Sequence, residues 1–290
     1  MTNLSRTATV MVAVFCLLPN MTVARQPQLS ECSQLEFESA RIVFHRAWFE
    51  QAHDQFVKYL AKCDSDPLAY AYVAIIDMLL YRDNTANVNR AVSLSDTVSD
   101  TEALFVRALA NFSQGRLEKA ESQLRDYLLA VPDDKYASHV LGFTLNDQGK
   151  HDQGADVLTQ LLFSHPDYFP AKNHLAYALL EIGESDDALR IVGEFVAADP
   201  ANPSAWDTQA DILHSLNRSE LAIASLSRSL ILDERFAYGY KHLGDILTSA
   251  SNEAAAAAAY RKALQSADLY GPDFAASIEE ILGESEARRK

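Results

Sequence analysis

"FVAADPANPSAW", Phe195 to Trp206, sets two prolines and a tryptophan between two stretches that read as helix. Pro200 within it has counterparts at Pro166 and Pro132, so these prolines stand 34 residues apart, each beside acidic or small turn-forming residues. A fixed period in this range is the mark of a repeat architecture, and the stretch is therefore punctuation between units, not the end of a domain.

Stepping by 34 from Thr101 gives unit starts at Thr101, Lys135, Phe169, Pro203 and Ala237. The eighth position of each unit is then Ala108, Gly142, Ala176, Ala210 and Gly244, and the twentieth is Ala120, Gly154, Ala188, Ala222 and Ala256. Every one is small, which lets two helix backbones approach closely. The twenty-fourth positions, Leu124, Leu158, Val192, Leu226 and Tyr260, are large and apolar and can plug the gap between neighbouring units. At the fifteenth stand Gly115, Gly149, Gly183, Asn217 and Ser251; glycine and asparagine there tolerate the left-handed conformation that ends one helix before the next begins. Each unit reads as helix, tight turn, helix, proline-marked turn.

This pattern resembles the tetratricopeptide repeat. "KYASHVLGFTLNDQGKHDQGADVLTQLLFSHPD" (Lys135 to Asp167) carries the resemblance best, and Trp206 matches the family's fourth-position tryptophan. It covers Thr101 to Tyr270, with departures: Asn111 replaces an apolar residue at position eleven, and Glu234 and Asp268 stand where proline is usual. What the resemblance implies is an all-α, right-handed superhelical solenoid of stacked hairpins that binds other proteins. The expected organisation is a leader over 1–24, degenerate helical hairpins over 31–100, five repeats over 101–270, and a capping helix with charged tail over 271–290. The tail region begins "GPDFAASIEEILGES" and has Phe274, Ile278, Ile281 and Leu282 on one stripe, the profile of a helix covering a last open face.

The first residues have their own signature. Met1 to Ala24 holds a single basic residue, Arg6, then the apolar run "VMVAVFCLL" (Val10 to Leu18), then small residues before Arg25. That is the layout of a secretory signal peptide, and the run is too short to span a bilayer. The reading is an exported chain, periplasmic or secreted, cleaved after Ala24 and without an integral membrane segment once mature. The net charge of -15 becomes one unit more negative when Arg6 is removed, which disfavours nucleic acid and anionic lipid as partners. Most of that charge is expected to solvate outer helical faces. Of three cysteines, Cys32 and Cys63 belong to the mature chain and fall at the start and the end of one helical hairpin. In an exported chain they are expected to form a disulfide, contributing roughly 3–4 kcal/mol.

The sequence contains no Gly-rich phosphate loop, GxSxG, HExxH or CxxC, so nothing in it calls for a catalytic residue, a cofactor or a metal. The informative surface is the concave one, which the resemblance assigns to positions two, five, six, nine, twelve and thirteen of each first helix. Its first half is aromatic and apolar, with Phe105, Tyr136, His139 and Phe143. Beyond these it turns polar, through Asn173, His174, Tyr177, Asp207, Asp211, Tyr238 and Lys241. Aromatic anchors beside amide and imidazole groups suit an extended peptide or an inserted helix of a protein partner, as in an envelope assembly or secretion complex. Lys241 is the one basic residue among the groove positions, which argues against a clamp for a terminal carboxylate. A competing reading takes Asp207, Asp211 and His214, spaced i, i+4, i+7 and flanked by His174 and His242, as a divalent-metal or enzymatic site. The same imidazoles would make partner binding pH-sensitive near pH 6–7.

Overall fold

The computed structural model describes residues 32–288, and side chains through 283; the expected leader over 1–24 lies outside them. Among the described residues there are fifteen α-helices and two single 3-10 turns, with no strand. Fourteen of the helices pair into seven antiparallel hairpins. The first two are α1 (Gln34–His45) with α2 (Phe49–Leu60), and α3 (Pro67–Leu79) with α4 (Thr85–Leu94). Then come α5 (Asp100–Phe112) with α6 (Leu117–Ala130), α7 (Lys135–Asp147) with α8 (His151–Ser164), and α9 (Ala171–Glu181) with α10 (Ser185–Ala198). The last are α11 (Pro203–Ser215) with α12 (Ser219–Leu232), and α13 (Ala237–Ser249) with α14 (Glu253–Gln265), followed by the single α15 (Pro272–Arg288).

The backbone itself carries the period. Among the described residues, positive φ occurs at Ala47, Tyr81, Gly115, Gly149, Gly183, Asn217 and Ser251, each 34 positions after the last. These are the turns inside the seven hairpins, so the register runs unbroken through the N-terminal region as well. Only α4 departs from it: it has 10 residues and begins two positions later than the other second helices, with Val88 and Ala91 as its buried face. First helices start on side-chain caps where the sequence supplies them. Asp66 accepts from the Leu68 and Ala69 amides, Asp134 from Tyr136 and Ala137, and Asn202 from Ser204. Two of these carboxylates are steadied from the preceding helix by Tyr59 (2.7 Å) and Tyr127 (2.8 Å).

Inside each hairpin the small residues do what their size permits. A Cβ on Gly142 would lie 2.5 Å from Leu158 Cγ, and one on Gly244 would run into the Tyr260 ring, so the helix pairs touch through these points. Cys32 and Cys63 form a disulfide, with Cα atoms 5.6 Å apart, that ties the start of α1 to the end of α2.

The solenoid also folds back on itself. The corner between α1 and α2 reaches the α10–α11 junction: Arg46 donates to both Asp199 carboxylate oxygens (3.0 and 2.8 Å), and Asn202 Nδ2 donates to the Arg46 carbonyl (2.8 Å). The corner after α3 reaches the far end of the chain. There the Gly271 amide donates to the Leu80 carbonyl (2.6 Å), Arg82 donates to the Leu269 carbonyl, and Tyr81 packs on Phe274 at 5.6 Å. One hydrophobic core consequently includes Phe37, Phe56 and Tyr72 near the start and Tyr260, Phe274 and Ile278 near the end.

Candidate partner-binding cleft

Because the two N-terminal corners lie against the later repeats, the concave face is not an open groove. What is left is a cleft of about 640 Å³, walled on one side by Phe44 to Gln51 and on the other by first helices from α5 to α13. His139, Phe143, Asn173, His174, Tyr177, Asp207 and Tyr238 all line it. Four expected groove residues sit elsewhere. Phe105 is 2% exposed and stacks on Tyr127 at 4.9 Å, filling the α5–α6 hairpin. Tyr136 is buried under the Arg41 guanidinium, 3.7 Å from its ring, so α1 has taken the place of a partner there. Asp211 stands behind Tyr177, whose hydroxyl donates to it (3.0 Å), and Lys241 pairs with Asp245 one turn on along α13 (2.8 Å).

Three imidazoles meet at one end. His45, from the end of α1, places Nδ1 3.0 Å from Nδ1 of His139 on α7, and the same His139 atom lies 3.0 Å from the Tyr168 hydroxyl. His174 on α9 follows, stacked on Phe143 with ring centroids 4.1 Å apart. Burial pushes the pKa of His45 and His139 well below the ordinary histidine value, with the positive field of Arg41 adding at His45, and burial takes His174 down to about 4. All three are neutral at physiological pH.

At the other end, Asp207 of α11 forms an ion pair with His242 of α13 (2.9 Å). Burial works against the charged imidazole, but the Asp207 carboxylate, by charge and hydrogen bond, and Asp211 beyond it push His242 up to about 9. Of the imidazoles behind the expected pH sensitivity, His174 and His242 are thus displaced in opposite directions from pH 6–7. The residues of the metal reading are turned to other partners. Asp207 is taken by His242, Asp211 by Tyr177, and His214 Nε2 faces the Ser249 hydroxyl at 3.5 Å. No three His, Cys, Asp or Glu side chains among the described residues come together in a way that could hold a metal ion.

Models of the tetratricopeptide repeat match this sequence over residues 86–135 and 145–212. The chain is a tetratricopeptide-repeat protein. Its fold is shared with a tetratricopeptide repeat protein from Parabacteroides merdae, 17% identical, with 87% of this chain and 98% of that one covered at a TM-score of 0.60. A thermophilic repeat protein of Thermus thermophilus is similar over 64% of this chain and 99% of its own, at 17% identity and a TM-score of 0.58. Among curated proteins none matches the sequence. A tetratricopeptide fold makes the molecule a protein-interaction scaffold, and no described helix is long and apolar enough to cross a membrane.

In this tetratricopeptide-repeat protein half of the cleft wall escapes a reading of first-helix positions. Arg46 and Trp48 come from the turn after α1, so no groove position points to them, whereas His45 stands at position thirteen of the unit that the 34-residue step starts at residue 33. One signal was present in the sequence: the 34-residue step carried upstream of Thr101 lands on Ala47 and Tyr81 as turn residues.

Proposed function

We propose that this protein is an exported, non-catalytic interaction scaffold, periplasmic or secreted, whose partner places a short extended segment in the closed cleft. The observation that carries this reading is the gathering of His139, Phe143, Asn173, His174, Tyr177, Asp207 and Tyr238 on one concave wall. A surface that combines aromatic faces with amide and carboxylate groups suits alternating side-chain and backbone contacts along a peptide. The N-terminal corner narrows the site, which favours an extended segment over a helix some 10–12 Å across. The Cys32–Cys63 disulfide supports an oxidising compartment, in keeping with the apolar run near the N-terminus.

The test is site-directed photocrosslinking in extract from the native source. A benzophenone side chain at Asn173, in the cleft, is compared with one at Gln160, exposed on the outer face of α8. The expected result is one protein captured from Asn173 alone, with capture abolished by excess of a peptide cut from that protein. Capture from Gln160 alone, or equally from both, overturns the cleft as the partner site.

A further inference from the structure

Two polar atoms in the cleft wall are out of reach of solvent and have no hydrogen-bond partner: the indole Nε1 of Trp48 and the imidazole Nε2 of His139. His139 as a residue is only 6% exposed. Buried polar atoms are mostly paired in folded proteins; of the unpaired ones here, those of Asn146, His151 and His214 lie away from the cleft, and the two that border it mark a place where something else supplies the partner.

The chemistry of that partner follows from the two atoms. An indole N–H can only donate, so Trp48 requires an acceptor oxygen. His139 is two-sided. If the Tyr168 hydroxyl or His45 donates to its Nδ1, then Nε2 carries the proton and donates; in the other tautomer Nε2 accepts. An amide offers both a carbonyl oxygen and an N–H, and so satisfies the pair in either state; a carboxylate only accepts.

Charge points the same way. Arg46 is committed to Asp199, Arg235 to Asp268, Asp207 to His242, and Glu50 faces the Tyr270 hydroxyl. The neighbouring imidazoles are neutral, and Arg41 and Lys135, whose charges reach His45, are not among the lining residues, so no cation lining the cleft is free to compensate a buried anion. Around the two atoms the wall is apolar and aromatic, with Phe44, Val140 and Phe143.

We propose that this end of the cleft is an anchor site for an uncharged peptide amide beside an apolar or aromatic side chain, its carbonyl accepting from Trp48 Nε1–H and its amide meeting His139 Nε2. The inference rests on the cleft being the partner site and names what the partner inserts there. The size of the cleft lies in the range of ligand sites in proteins.

The test uses the mature chain carrying Trp206→Phe, which leaves Trp48 as its single indole. The probe is 3-phenylpropanamide, compared with 3-phenylpropanoate, which has a carboxylate in place of its single amide. The indole N–H resonance of Trp48 is followed by NMR. For a fragment of this size the expected dissociation constant is about 1 mM, with a saturable shift of the indole proton. The acid should bind at least about tenfold weaker, and ligand-observed NMR should show a loss of about tenfold in the Trp48→Phe variant, which keeps the ring bulk and removes the donor. An indole resonance that stays still through saturating amide, or an acid that binds as well as the amide, overturns the anchor. Crosslinking from Asn173 that succeeds while the amide fails leaves the partner cleft standing without this anchor. Amide binding without any crosslink shows the reverse: the anchor exists and the partner reading falls.

Discussion

Gly149 and Gly142 lie seven residues apart and are glycine for different reasons. Gly149 has φ +72° and nothing within 4 Å of where a Cβ would stand, so its demand is made by the backbone alone. Gly142 is helical and is met by Leu158, which is fully buried and has no room to retreat. Gly149→Ala is expected to cost about 1 kcal/mol, the left-handed penalty of an L-residue. Gly142→Ala is expected to cost about 1–3 kcal/mol of overpacking, lessened by the better helix propensity of alanine. Urea denaturation of both variants separates the two cases, because only Gly142→Ala should be rescued by Leu158→Val, which returns volume at the contact. Asn217 and Ser251 hold the same left-handed turn with φ of 59° and 56°, so the position is a conformational requirement that several residues meet, glycine most easily.

Between elements, the sign of the histidine titrations differs from one end of the cleft to the other. His242 on α13 is held charged by Asp207 on α11, with its pKa raised from 6.5 to about 9. Its stabilisation is therefore complete below pH 6.5, where the unfolded chain is also protonated, and is lost as pH rises through about 9. A shift of that size corresponds to roughly 3 kcal/mol, and the margin of wild type over Asp207→Asn in urea melts should shrink across that window. His45, His139 and His174 behave oppositely. The folded state keeps them neutral while the unfolded chain takes up protons below pH 6.5, so their contribution is present above 6.5 and is lost as pH falls below it, for His174 down through about 4. Acid unfolding should take up about three protons over that range, and His174→Phe should reduce the slope of the stability curve by close to one. The element pattern behind these pairs was legible, since Ala108, Gly142 and their equivalents at fixed spacing dictate which helices face each other. The N-terminal hairpins were harder to place because α4 slips out of the frame and Arg90 stands where a large apolar plug is expected.

At the scale of the whole molecule, closure was not legible, for a physical reason. It depends on side-chain and backbone contacts such as Arg46 with Asp199 and Leu80 with Gly271, whose partners lie far apart in sequence and leave no period to detect. The residues expected on an open concave face were consequently divided, with Tyr136 covered by α1 and His139 left as cleft wall. Gly271 is where that closure can be tested. A Cβ there would collide with the carbonyl group of Tyr81, which is backbone and cannot rotate away, while the Gly271 amide donates to Leu80. Gly271→Ala should thus separate the second hairpin's corner from α13 and α15 without touching any helix interior. Circular dichroism should show unchanged helix content, and small-angle scattering an increase in radius of gyration. Hydrogen exchange should lose protection at the amide of residue 271, whose acceptor is the Leu80 carbonyl across the closure. The Trp48 and His139 end, closed by the separate Arg46–Asp199 contact, should keep its protection. If scattering and exchange are unchanged in Gly271→Ala, the second hairpin's corner and the far end of the solenoid do not meet through this contact, and closure rests on Arg46 and Asp199 alone.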